Sequence, residues 1–169
     1  MNPDIQIREV TLDDAVTVAQ HRAAMFLEMG QATRGIMPAL RSQTLEYLQQ
    51  AIPRREYVGW LACLEDEPSR VVAGAGAQVR RVLPFPARRP DGSTRVAWGA
   101  QAMIINVYTQ PAYRRRGIAR RLIEEAIAWA HAVEIESLVL HATSHGASLH
   151  ELGFMATAEM VYGGDLSHY

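Results

Sequence analysis

The run Tyr113-Arg114-Arg115-Arg116-Gly117-Ile118-Ala119-Arg120-Arg121 places five arginines around one glycine, where a loop feeds a helical pattern. The first turn of a helix has backbone N–H groups without intrahelical acceptors, and the helix dipole leaves partial positive charge there. Gly117 has no side chain to keep a ligand away from those groups. The dipole opposes cations at this end, so the cluster Arg114, Arg115 and Arg116 makes physical sense if an anion sits among them. The chemistry these residues suit is the cradling of phosphate.

The elements around the loop must hold it in place. Upstream, Ala102 to Thr109 is rich in apolar, β-branched and aromatic residues and reads as a strand ended by Gln110-Pro111. Downstream, Ala119, Leu122, Ile123, Ala126, Ile127 and Ala130 recur at helical spacing, giving a helix over 114–132. Before them, Ile5 to Glu9 alternates as a strand, and Thr11 with Asp14 forms a capping-box start for a helix ending near Gly30. Met37-Pro38 opens a second helix that stops before Pro53.

Strands are expected at Tyr57 to Leu64 and Val71 to Val82, with a bulge or close backbone approach at Gly74 and Gly76. The Pro- and charge-rich residues 84–93 read as a long surface loop. Ser137 to His141 reads as a strand, 146–152 as a short helix, and Phe154 to Tyr162 as a last strand, with a frayed tail after about 162. The order β-α-α-β-β-β-α-β-α-β predicts a single α/β (α+β) domain over 1–169 with a mixed, mostly antiparallel sheet flanked by helices.

The run Asn106-Val107-Tyr108-Thr109-Gln110-Pro111-Ala112-Tyr113, followed by Arg114-Arg115-Arg116-Gly117-Ile118-Ala119, resembles the GNAT superfamily of acetyl-CoA-dependent N-acetyltransferases, whose signature is Gln/Arg-x-x-Gly-x-Gly/Ala. Arg114, Gly117 and Ala119 stand at its three defined positions. The segment Leu149-His150-Glu151-Leu152-Gly153-Phe154 is similar to the family's Leu-Tyr-Glu-x-x-Gly-Phe, one residue shorter and with histidine for tyrosine. The resemblance extends over nearly the whole chain and is specific in its second half.

That resemblance implies acetyl-CoA as co-substrate and acetyl transfer to a primary amine by direct attack in a ternary complex. Backbone N–H groups of Arg115, Arg116, Gly117, Ile118, Ala119 and Arg120 would hold the coenzyme pyrophosphate, with a spare arginine from Arg114, Arg120 or Arg121 for the remaining phosphate. Val107, Tyr108 and Thr109 would lie beside the pantetheine arm as if it were an added strand. His150, at the family's tyrosine, is the candidate acid for the departing thiolate. Glu28 and His141 are candidate bases for the amine, with Tyr108 or Asn106 positioning water. An acyl-CoA-binding module without transfer is the alternative reading.

Composition narrows the classes further. An apolar fraction of 49% with 21% charge is that of a globular domain, and a net charge of −1 disfavours a nucleic-acid partner. The single Cys63 cannot form an internal disulfide, which points to a cytoplasmic setting, and no apolar run predicts a membrane partner. Met1-Asn2-Pro3-Asp4 lacks a signal-peptide start. His141, His145 and His150 cross a strand end, a loop and a helix without one-face geometry, so no metal is expected. Trp60, Trp98 and Trp129 are expected in the core. The acceptor is a small-molecule or peptide amine, and the family accommodates homodimers.

Overall fold

The computed structural model describes residues 4–88, 91–141 and 147–156. β1 (Ile5–Glu9) leads through a capping box to α1 (Ala15–Glu28) and α2 (Met37–Ala51). Three strands follow, β2 (Tyr57–Leu64), β3 (Val71–Arg88) and β4 (Thr94–Thr109), then α3 (Ile118–Ala132), β5 (Ser137–Leu140) and the single turn α4 (Ala147–His150). The strands lie in sequence order in one sheet, every pair antiparallel except β4 with β5.

Alternate residues of β2 explain why this strand is buried at every position. Val58, Trp60, Ala62 and Leu64 join the core that packs against Ile118, Leu122, Ile123 and Ala126 of α3. Tyr57, Leu61 and Cys63 join the opposite core, formed with Val18 and Ala19 of α1 and Leu48 and Ala51 of α2. Side chains of a strand point to opposite faces in turn, so a strand covered on both sides must be apolar throughout. The sheet is the middle of three layers.

Two bulges shape β3 and β4. Gly76 pairs with Ile105 and Gly74 with Tyr108, so β4 carries the extra residue there. Asn106 absorbs it with φ at 58°, a conformation asparagine tolerates better than most side chains. Gly74 and Gly76 do mark a bulge, as their spacing predicts. The second lies between Val82 and Phe85, where two β3 residues, Leu83 and Pro84, stand opposite the single Trp98 of β4.

Residues 84–88 therefore differ from the expected loop, while 91–93 remain outside the strands. A proline in a bulge withholds no ladder bond, so β3 continues to Arg88 and pairs with a β4 that begins at Thr94. Trp98 lies on this hairpin and is 67% exposed, which corrects its expected place in the core. Trp60 is buried and meets the half-buried Trp129 edge-on, ring centroids 5.6 Å apart. The expected last strand, Phe154 to Tyr162, lies largely outside the described residues, as does His145.

Candidate active site

β4 outruns its outer neighbour. Its parallel pairing with β5 covers Gln101 to Ile104, and from Ile105 to Thr109 that edge has no strand partner among the described residues. Unpaired N–H and C=O groups are a template for an extended ligand. Val107 packs toward the α3 core, while Tyr108 is buried toward α1 with its ring 5.1 Å from that of His21.

From Thr109 the chain passes through a 3-10 turn at Pro111–Tyr113 and then two left-handed residues, Arg115 at φ 62° and Gly117 at φ 75°. Gly117 is the N-cap of α3 and supplies no capping side chain. A Cβ built on it would meet nothing within 4 Å, so the glycine is demanded by its backbone angle and the space above it is open. α3 therefore starts at Ile118, four residues later than the expected 114, and its first N–H groups face that opening uncapped. Ile118 is buried and anchors the turn.

The arginines divide into braces and a free cation. The Arg114 Nε–H donates to the Thr109 carbonyl at 2.8 Å, and its guanidinium pairs with Glu28 and lies 5.8 Å from the Tyr108 ring. Arg116 donates to the Ala112 carbonyl at 3.1 Å and stacks over Tyr113. Arg121 donates to the Ile5 carbonyl at 3.0 Å. Arg120 bridges Glu124 at 3.0 Å and Glu151 at 2.6 Å. Arg114, Arg120 and Arg121, the expected source of a spare arginine, are thus each engaged. Arg115 has neither hydrogen bond nor ion pair among the described residues, and the sequence offered no reason to single it out.

The Arg120–Glu151 pair also fixes α4. It holds the residue after His150 against the first turn of α3, while Leu149 packs into the α3-side core. His150 is exposed at the end of α4, and His141 is exposed just beyond β5. Glu28 ends α1, where its carboxylate accepts the Tyr108 hydroxyl hydrogen at 3.0 Å and pairs with Arg114. Burial first, and the Glu28 hydrogen bond second, push the Tyr108 phenol above its usual pKa, so it keeps its proton at neutral pH.

On the α1/α2 side the β4 bulge aims two successive residues, Ile105 and Asn106, into a cleft of about 290 Å³. Its polar lining includes Arg22, Gln43, Tyr47, Tyr57, Gln78 and Asn106. Tyr57 is buried and its pKa is pushed up to about 12 by that burial. A second space of about 10 Å³, enough for roughly one water, lies between His21, Tyr57, Gly74 and Asn106. His21 is buried with Nδ1 unpartnered, and burial lowers its pKa, so its ring is neutral at pH 7. Sequence reasoning missed both His21 and Arg22, which read as ordinary positions on an amphipathic helix.

The arrangement can take an extended ligand along β4, hold its anionic end at α3, and present a polar cleft to a second reactant across the strand. Proteins of similar sequence and fold are known. The sequence profile of the acetyltransferase (GNAT) family matches residues 23–154. A GCN5-related N-acetyltransferase from Ralstonia eutropha JMP134 is similar at 29% identity, with a TM-score of 0.77, over 94% of this chain and 97% of that one. A predicted acetyltransferase from Clostridium acetobutylicum, solved with acetyl-CoA, is 21% identical over 98% of this chain and 99% of its own, with a TM-score of 0.72. Glucosamine-6-phosphate N-acetyltransferase from Arabidopsis thaliana shares the fold at 10% identity and a TM-score of 0.63, over 96% and 99% of the two chains. No curated protein matches the sequence. Among the described residues, no helix is long and apolar enough to cross a membrane.

Proposed function

Because the chain belongs to the GNAT acetyltransferase family and is an acyltransferase, we propose that it moves an acetyl group from acetyl-CoA to a primary amine by direct attack. The observation that carries this reading is the continuity of two ligand-binding features, the unpaired β4 edge at Ile105 to Thr109 and the uncapped α3 start at Gly117. A pantetheine arm is an extended amide chain and suits the first. A pyrophosphate suits the second, and the free Arg115 side chain adds a cation for a further phosphate.

Acetyl-CoA supplies the activated thioester. The backbone at Val107, Tyr108 and Thr109 aligns it, and N–H groups of Arg115 through Arg120 hold its charge in place. The amine nitrogen forms a bond to the acetyl carbon while the carbon–sulfur bond breaks, and the amine's proton is passed on as the thiolate takes one up. Holding both reactants in register supplies most of the acceleration. Cys63 is 2% exposed within the α1/α2 core, which supports direct attack over an acyl-cysteine route.

Proton transfer rests on four groups. His150 is the donor to sulfur, while Tyr108 retains its proton and directs it to Glu28. Glu28 serves the amine through the Tyr108 hydroxyl it already accepts, and His141, exposed just beyond β5, is the other candidate base. The acceptor is a small-molecule or peptide amine, and the setting is cytoplasmic, in keeping with the buried, unpaired Cys63.

A thermal-shift series with coenzyme A, acetyl-CoA, NAD and ATP tests the first step. Ligand at about 100 times its Kd stabilises by about 2.7 kcal/mol, roughly 5 to 10 °C for a domain of this size. Release of free thiol from acetyl-CoA with an amine panel tests the second. A protein stripped of ligand that shows no shift with either coenzyme form would sink the proposal.

A further inference from the structure

The α1/α2 cleft contains one charge. Arg22 is half-buried there, its guanidinium donates to Asn106 Oδ1, and its Cζ lies 4.7 Å from the Phe26 ring centroid. No carboxylate lines the cleft, and no described residue forms an ion pair with Arg22. Burial pulls its pKa downward, the mark of a cation held away from water without a counter-charge. Gln43, Thr44, Tyr47, Tyr57 and Gln78 supply the remaining polar lining beside Asn106, all of them neutral.

We propose that the acceptor is an amine that also carries an anionic oxygen group, and that Arg22 binds that group in the cleft beside Asn106. This rests on the acetyl-transfer reading and names its substrate class.

The argument is one of charge and geometry. A guanidinium has several N–H donors arranged as a planar fork that matches carboxylate or phosphate oxygens, and Asn106 Oδ1 occupies one of them. A partly buried cation without a counter-charge is costly, and an incoming anion offsets that cost. The same field opposes a polyamine or other cationic acceptor, which would bring like charge into a cleft with no acidic residue to receive it.

Position makes the pairing productive. Asn106 is the bulged residue of β4, with φ at 58°, and is followed directly by Val107, Tyr108 and Thr109 of the unpaired edge. An acceptor anchored at Arg22 thus lies against the residue where the coenzyme strand begins. The Asn106 side-chain carbonyl orients the guanidinium, and Phe26 covers one face of it, leaving its edge for the ligand. Arg22 is therefore a specificity-determining residue.

Matched amines test the assignment: phenylalanine against phenethylamine, methionine against methioninamide, glucosamine 6-phosphate against glucosamine, and spermidine alone. The wild-type protein is expected to prefer the anionic member of at least one pair by about 10- to 100-fold in kcat/KM. The amino-acid and sugar-phosphate arms distinguish a carboxylate from a phosphate. Arg22→Gln should collapse the preference toward unity mainly through KM, and Arg22→Lys should restore part of it. If Arg22→Gln does not fold, Gln43→Glu adds a carboxylate to the cleft and should depress the preference. Acetylation confined to uncharged or cationic amines, or a preference that survives Arg22→Gln, overturns the assignment. Acetyl-CoA stabilisation is read separately in each protein, and its loss in the wild type would instead overturn the transfer reading.

Discussion

Tyr108 donates its hydroxyl hydrogen to Glu28 across 3.0 Å, joining the unpaired end of β4 to the last residue of α1. The other carboxylate oxygen of Glu28 pairs with Arg114, whose Nε–H returns to the Thr109 carbonyl. One acidic side chain thus connects α1, which borders the cleft, to both halves of the proposed coenzyme site. Glu28 forms a single unit with residues 80 and 86 positions further along the chain.

Groups that share a partner do not contribute additively. Glu28→Gln and Arg114→Met are each expected to weaken coenzyme A binding by about 3- to 10-fold, because the arginine loop loses its tie to α1 while the backbone donors remain. The double variant should be little worse than either single one. Isothermal titration of the four proteins measures the coupling, and fully additive losses would show that the Glu28–Arg114 pair does not organise the loop.

Gly117 is constrained by its backbone angle and by the opening above it, and two substitutions separate these. Gly117→Ala forces a side chain into φ 75° and should cost about 1 kcal/mol of stability, with coenzyme binding weakened modestly. Gly117→Val adds bulk to the space that the ligand is proposed to enter. Its coenzyme A stabilisation should vanish, and an undiminished thermal shift would place the coenzyme elsewhere.

Much of this architecture is legible in the sequence because it is local. The periodicity of Leu122, Ile123, Ala126 and Ala130 marks the buried face of α3, and Met37-Pro38 marks the start of α2. The long hairpin was hidden because Pro84 and Pro86 carry a strong loop signal, which antiparallel pairing overrides once a bulge accommodates Pro84. The α1/α2 cleft is hidden for a different reason. Arg22 and Asn106 meet across 84 residues, and nothing in the spacing of either predicts the other. A left-handed asparagine inside a strand leaves no compositional trace, yet it turns two neighbouring side chains toward one cleft.

Close packing beneath that cleft gives a stability prediction. A Cβ at Gly76 would overlap the hydroxyl and Cζ of Tyr57, which lies across the glycine and is 2% exposed. Gly76→Ala should therefore destabilise the domain by about 2 kcal/mol or more, since neither the backbone nor the buried ring can yield cheaply. Tyr57→Phe would not relieve the overlap, because the ring carbon remains, whereas Tyr57→Leu should recover part of the loss. Chemical denaturation of the double variants checks the order; equal stability of Gly76→Ala and wild type would contradict the packing described.

Acid should act through Asp14. Arg8 donates to both of its carboxylate oxygens at 2.7 Å, and the Thr11 backbone N–H adds a bond at 2.8 Å. The Arg8 hydrogen bond, ahead of the Thr11 bonds, lowers the Asp14 pKa from 3.8 to about 2. A carboxylate with a depressed folded-state pKa stabilises fully above its unfolded value and loses that contribution as pH falls toward the folded one. With Arg8 partly exposed, about 1 to 2 kcal/mol should disappear between roughly pH 4 and 2. Asp14→Asn should be less stable at pH 7 and show a flatter stability profile across that interval; parallel profiles would assign the acid sensitivity to other groups.

His21 should titrate in a separate window and in the same sense. Its ring is buried against Tyr108, and burial lowers its pKa below 6.5, so the folded state binds fewer protons than the unfolded chain. Stability must then fall as pH drops below about 6.5, where the unfolded histidine protonates and the buried one resists. His21→Phe removes the titrating group while keeping an aromatic ring beside Tyr108, and it should abolish the part of the slope that sets in as pH falls below about 6.5. Because Asp14 acts only at lower pH, Asp14→Asn should leave that onset unchanged. Guanidinium unfolding of wild type, His21→Phe and Asp14→Asn at closely spaced pH values resolves the two windows, and a slope that persists unchanged in His21→Phe would assign it to other groups.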